Sequence, residues 1–318
     1  QPMAASVRQT SNDEADIDST AANRTYTSFK NALYIENHWD ITPKFSTNAG
    51  LRFTQNLSSG KTYSAIEPRL IMRYEILKNT SLKTAFSYTT QNTHLLNYPS
   101  YFGPAIELWI PSTETIRPEK AWQVAFGGAH SLLDNKYEFS VETYYKEMSN
   151  LIAPQEGASA YTNASDWEKS LFSDGKGKSY GIEFLLQKKQ GKFTGWVSYS
   201  FSQSKRQFAG LNEQKWFPFR YERPHSVTAV FSYNFNQKIN FSATWQYTSG
   251  LPITLPHTKY YTMYLYDTQD EQLFYYFRRI YKYGKRNGDR MIAYHRLDLS
   301  ARFSKKKKRG IRTWNKII

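Results

Sequence analysis

Cysteine is absent from all 318 residues, which excludes disulfide frameworks, thiolate metal sites and a cysteine nucleophile. No window approaches the roughly 18 consecutive apolar residues of a transmembrane helix, so a helical membrane protein is excluded too. Around Gln1 there is no basic segment followed by an apolar one, so no export leader is recognised there. The Gly-x-Ser-x-Gly signature of serine hydrolysis does not occur. His38, His94, His130, His225, His257 and His295 show no i, i+4 pairing and no neighbouring ligand set, so no metal centre is expected. Gly60-Lys61-Thr62 looks like the tail of a phosphate-binding loop, but Gln55 stands where its first glycine belongs and no helix follows. Glu142, Glu183 and Asp298 read as ordinary hydrated carboxylates. The sequence therefore points to no catalytic residue, no cofactor and no enzyme.

What is abundant is aromatic. The chain holds 25 Tyr, 20 Phe and 8 Trp, yet its mean hydropathy is −0.68, a pairing unusual for a soluble enzyme. Strands that alternate lipid-facing apolar residues with lumen-facing polar ones produce this combination, because hydropathy averages out while aromatic girdles remain. The formal net charge of +15 would permit attraction to nucleic acid, lipopolysaccharide or acidic polymers, and solvated loop charge is the preferred reading. The five basic residues from Lys305 to Arg309 are read as an inter-strand turn tied to anionic head groups, with no nucleic-acid partner.

Alternation of period 2 dominates. Phe193, Gly195, Val197, Tyr199 and Phe201 share one face, followed by Val227, Ala229, Phe231, Tyr233 and Phe235, then Ile239, Phe241, Ala243, Trp245 and Tyr247. Farther upstream Ile66, Leu70, Met72 and Tyr74 point outward with Pro68, while Glu67, Arg69, Arg73 and Glu75 point inward and are expected to pair with one another. Tight turns near 42–43, 78–79, 134–135, 190–191 and 236–237 alternate with longer links at 56–61, 93–118, 152–176, 203–221 and 250–293. Short turns on one rim and long loops on the other are the habit of outer-membrane barrels. The expected fold is all-β, a transmembrane antiparallel β-barrel of which this chain supplies about eleven or twelve strands. Residues 1–25 read as a polar loop or disordered tail and 26–318 as barrel. Trp109, Tyr161, Trp167, Tyr260 and Tyr261, in the long links, are candidate ligand-stacking residues, with loop-on-loop packing as the alternative.

Seven stretches together resemble TonB-dependent outer-membrane receptors, particularly the kind found in Bacteroidetes-type bacteria. They begin with Asn48-Ala49-Gly50-Leu51-Arg52-Phe53, Glu67-Pro68-Arg69-Leu70, Ile116-Arg117-Pro118-Glu119-Lys120-Ala121-Trp122 and Tyr180-Gly181-Ile182-Glu183-Phe184. They continue through Arg223-Pro224-His225-Ser226, Thr248-Ser249-Gly250-Leu251-Pro252-Ile253 and Tyr294-His295-Arg296-Leu297-Asp298-Leu299. The resemblance implies the C-terminal portion of a 22-stranded barrel, with the plug domain and the early strands absent from these residues. It implies active import of a scarce ligand (iron chelate, cobalamin, glycan or peptide), powered through the TonB complex by way of the N-terminal region. Outer-membrane lipid, lipopolysaccharide and a surface lipoprotein are the further partners it suggests, in the cell outer membrane of a Gram-negative bacterium. The competing functions are a passive porin or adhesin barrel without a plug, and a soluble β-rich polymer-binding module.

Overall fold

The computed structural model describes residues 2–11, 14–25, 27–58, 60–98, 106–156, 167–267, 273–305 and 314–317. One antiparallel wall dominates it. Its strands follow the chain as β1 (Ser28–Thr42), β2 (Phe45–Ser58), β3 (Lys61–Leu77), β4 (Thr80–Gln91), β5 (Glu119–Leu132) and β6 (Tyr137–Pro154). They continue as β7 (Leu171–Lys188), β8 (Phe193–Gln207), β9 (His225–Asn234), β10 (Ile239–Thr248), β11 (Tyr294–Lys305) and β12 (Trp314–Ile317). Each pairs with its neighbour in sequence, so the order from β1 to β12 is a meander of twelve strands. The described sheet is open, because β1 pairs only with β2 and β12 only with β11.

Register carries the face assignment across the wall. One cross-strand row runs Phe45, Tyr74, Leu82, Gly128, Val141, Phe184, Tyr199, Val227, Tyr247, His295. The row one residue over runs Ser46, Arg73, Lys83, Gly127, Glu142, Glu183, Ser200, Ser226, Thr248. A slip of one residue at any pair would mix the two faces, and none occurs between β2 and β10 along these rows. The apolar row looks outward. On β2, Leu51, Phe53 and Leu57 are exposed while the alternating Thr54, Asn56 and Ser58 are buried, the inverse of a water-soluble sheet. Such a pattern suits a wall whose outer solvent is hydrocarbon.

Rings collect at both ends of the outward face. Tyr137, Phe193, Tyr233 and Phe241 stand near the tight turns, and Trp122, Tyr145, Tyr180 and Tyr247 near the long links. Trp122 and Tyr145 lie in contact, with centroids 5.6 Å apart. Tyr137 and Tyr145 are eight positions apart on β6, about 20 Å of height at about 3.3 Å per residue and a tilt of about 40°, close to the apolar band of outer-membrane barrels. Both β6 and β7 have 18 residues and run well past this girdle, so the wall continues beyond the band on the loop side.

Close approach fixes one glycine. A Cβ at Gly195 would sit 2.2 Å from the Val230 carbonyl oxygen, so β8 and β9 can be this near only without a side chain there.

Two expectations change. The link at 56–61 is a tight turn, since β2 reaches Ser58 and β3 starts at Lys61, with Gly60 at φ +78° closing the reversal. Its polar residues resemble loop composition, yet they pair in register with β1 and β3. Glu67 pairs with Arg52 on β2 at 3.9 Å and accepts hydrogen bonds from the Thr90 amide (3.0 Å) and hydroxyl (2.6 Å), so its partners lie across strands rather than along its own. Pro2–Ser11 and Glu14–Thr25, inside the segment read as a polar loop or disordered tail, pair as an antiparallel hairpin. A ladder needs only backbone groups, so polar composition does not forbid it.

Candidate ligand-binding site at the loop rim

Among the described residues, every buried apolar side chain except Ala229 lies at the loop rim. Leu96, Ile110, Ile116, Trp167 and Leu171 form one small core, and Leu151, Ala153, Phe208, Leu211 and Phe217 form another. The loops are thus folded bodies that pack on one another above the wall, which is what positions side chains over the lumen.

The five aromatic candidates separate. Trp167 is 1% exposed, so it packs loop against loop and presents no surface to a ligand. A short 3-10 turn, Trp167–Ser170, turns it into the first core, an arrangement the polar sequence around it conceals. Trp109 is 56% exposed on the hairpin of Thr93–Tyr98 and Ile106–Pro111. Tyr260 and Tyr261 are exposed on another hairpin, Pro256–Asp267 with Leu273–Tyr283. The Arg279 guanidinium lies 5.7 Å from the Tyr261 ring and donates to the Tyr281 hydroxyl at 3.2 Å. Those two hydroxyls, Tyr281 first, hold the Arg279 pKa above its usual value. Tyr161 lies outside the described residues.

A Ser–His–acid order exists at the foot of the first hairpin. The His94 ring stands 3.1 Å from the Ser112 hydroxyl and 3.2 Å from a Glu119 carboxylate oxygen. Catalysis needs a nucleophile that substrate can reach, but Ser112 and His94 are both fully buried. The cluster ties the hairpin to the start of β5.

A second tie joins distant loops. Glu222 is buried, forms an ion pair with Arg290 and accepts the Ser204 amide at 2.8 Å. Arg290 also donates to the carbonyls of Glu222 and Gly250. Asn287 donates to the Pro218 carbonyl at 2.8 Å, closing the same junction. Glu222→Ala would take the carboxylate from Arg290, leaving it only carbonyl acceptors, and would strand the Ser204 amide, and should destabilise the loop junction by about 2 kcal/mol. That is below the cost for a fully buried pair because the Arg290 side chain is 35% exposed. Faster proteolytic nicking within 250–293, with the wall intact, would be the readout.

The junction also carries a group that single-sequence reading misses. Four rings from one segment each have a cation over them: Lys178 on Trp216 (4.4 Å), Arg286 on Phe217 (5.4 Å), Arg206 on Phe219 (4.2 Å) and Arg220 on Tyr221 (5.1 Å). Arg206 pairs with Phe217 in register, on the same parity as Ser204 and Ser202, which is the inward face. Its Nε is buried without a hydrogen-bond partner. A half-buried guanidinium over a ring on the inward face is suited to a planar anion. The rings are visible in sequence as Trp216 to Tyr221, but three of the four cations come from elsewhere in the chain. Nearby, Lys215 hydrogen-bonds to Glu213 and holds its carboxyl below the usual range.

The family described as TonB dependent receptor-like, beta-barrel matches residues 4–314. Among solved structures, the FrpB iron transporter from Neisseria meningitidis is similar, with 14% identity and a TM-score of 0.56 over 89% of this chain and 39% of that one. The ferric-catecholate import receptor Fiu from E. coli K12 shows 11% identity and a TM-score of 0.57, over 92% of this chain and 40% of that one. The ferripyoverdine receptor of the Pseudomonas aeruginosa outer membrane shows 11% identity and a TM-score of 0.53, over 90% and 34%. At these identities the likeness concerns the fold, and the chain spans two fifths or less of each structure's length. No curated protein matches the sequence. Twelve meandering strands, an outward apolar face with ringed ends, folded loops on one rim and the family match across nearly the whole chain lead to one conclusion: this chain belongs to the TonB dependent receptor-like β-barrel family.

Proposed function

We propose that these residues are the second half of the transport barrel of an outer-membrane receptor that imports a scarce anionic iron chelate, with energy relayed through TonB to the region preceding them. The observation that carries the ligand class is Arg206, half-buried and inward at the loop rim, with its guanidinium carbon 4.2 Å from the centre of the Phe219 ring. A charged hydrogen bond contributes about 1.5–3 kcal/mol, so a ligand carboxylate, hydroxamate or catecholate would gain about 10- to 150-fold in affinity there. The iron ligands in the names of the similar structures favour a chelate over cobalamin, glycan or peptide. The Bacteroidetes-type likeness rests on the sequence motifs alone. Exposed Trp109, Tyr260 and Tyr261 would add stacking surface at the entrance.

The test is growth of iron-starved cells carrying the full-length protein on a panel of ferric chelates, with and without TonB. Growth on one chelate that requires TonB, and a tenfold or greater loss of binding in Arg206→Gln with normal barrel assembly, are the expected results. Uptake independent of TonB would favour the passive-pore reading instead.

A further inference from the structure

The turns opposite the loops carry a lysine almost without exception: Lys44, Lys78, Lys136, Lys189, Lys192 and Lys238. Three of these, with their neighbour Lys188, crowd the ends of β6, β7 and β8, and their partners there differ by face. Lys189 pairs with Glu138, whose parity on β6 is inward. Lys188 is outward, opposite Tyr137 in register, with its ammonium 5.7 Å from the Tyr137 ring and 5.5 Å from the Phe193 ring. The Lys136 ammonium lies 5.8 Å from the same Tyr137 ring. Lys136 and Lys188 form no ion pair among the described residues. Gly195 stands opposite Lys188 in register.

Two ammoniums without a carboxylate, Lys188 on the outward face and Lys136 at the adjoining turn, lie near the outward Tyr137 ring at the edge of exposed apolar surface. Phe139 and Leu186 pair on the outward face and are 41% and 52% exposed, and Leu132 and Leu133 flank them at the turn. The lysine stems run along rings while their heads reach for the interface. We propose that Lys136, Lys188, Tyr137 and Phe193 form a clamp for the phosphate of an anionic phospholipid in the periplasmic leaflet, with an acyl chain lying over Phe139 and Leu186. This rests on the outer-membrane reading, which puts the tight turns on the periplasmic side. That side also selects the occupant, because lipopolysaccharide occupies the leaflet beside the loops. Each basic residue near an anionic surface contributes about fivefold in binding, so removing both should cost more than tenfold.

The experiment is native mass spectrometry of the full-length protein offered equal amounts of phosphatidylglycerol and phosphatidylcholine of the same chains, with lipopolysaccharide in a separate arm. Wild type should retain phosphatidylglycerol preferentially, K136Q/K188Q should lose that preference by more than tenfold, and K136R/K188R should keep it. K189Q, in the same turn with the same charge change but facing its inward glutamate, should behave as wild type. Lipopolysaccharide retention should be equal in all variants. Heat-modifiable mobility confirms that each variant is folded, and the arginine pair keeps the comparison open if the glutamine pair does not assemble. Equal retention of both phospholipids by wild type, an equal loss in K189Q, or a parallel loss of lipopolysaccharide would overturn the clamp. Retention of no lipid of any kind would contradict the barrel reading itself.

Discussion

Val141→Arg should sharply reduce the yield of folded, heat-modifiable full-length barrel, while Ser140→Arg should leave it close to wild type. The two residues are adjacent on β6 and differ only in face. Val141 lies in the outward row between Gly128 and Phe184, halfway between the girdle rings Tyr137 and Tyr145. At that height an outward guanidinium meets the middle of the hydrocarbon, at a cost of about 2–4 kcal/mol. Ser140 lies opposite Ala129 and Leu185 on the inward face, where water solvates an added charge and the small partner leaves room. Since a folded domain is stable by only about 5–15 kcal/mol, the outward substitution consumes much of that margin. Equal yields of the two variants would refute the face assignment.

Trp167→Ala should loosen the loop rim without opening the wall. The indole fills the centre of the core made by Leu96, Ile110, Ile116 and Leu171, and truncating a buried ring of this size costs about 3–5 kcal/mol. Those partners come from the first hairpin, from the approach to β5 and from the start of β7, so the loss should reach all three. The hairpin bearing Trp109 should become protease-sensitive, and hydrogen exchange should accelerate at 93–118 and 167–171 while amides of β6 and β7 between the girdles keep their protection. Unchanged exchange at 93–118 would show that Trp167 is not what holds the hairpin down.

These outcomes follow from parts of the molecule that were unequally legible in the sequence. The wall was readable because period 2 survives wherever one face meets lipid, as in Val227, Ala229, Phe231 and Tyr233, and in-register pairing passes that parity from strand to strand. Past the girdles the lipid no longer imposes it. Asn56 and Ser58 therefore resembled loop residues although they lie in β2, where they face inward under the folded rim. The loop rim was least readable. Trp167 among polar neighbours gave no sign that it would be a core residue, because the core it joins is assembled from four separate segments. Arg206 likewise gains its character from Phe219 and the loop junction, contacts made across strands that no local pattern encodes. His94, Ser112 and Glu119 are 25 residues apart at most, yet only the fold shows that they meet and that they are sealed from substrate.

The central claim is that the long links and the tight turns lie on opposite sides of an outer membrane, and single-cysteine labelling of the full-length protein tests it most directly. These 318 residues contribute no background, since they hold no cysteine. Gln214 and Gln190 are both exposed, one in the link after β8 and the other in the turn between β7 and β8. A membrane-impermeant maleimide applied to intact cells should label Gln214→Cys, and should reach Gln190→Cys only after the outer membrane is permeabilised. Labelling of Gln190→Cys on intact cells with Gln214→Cys protected would invert the barrel, and equal labelling of both would contradict a membrane-spanning wall altogether.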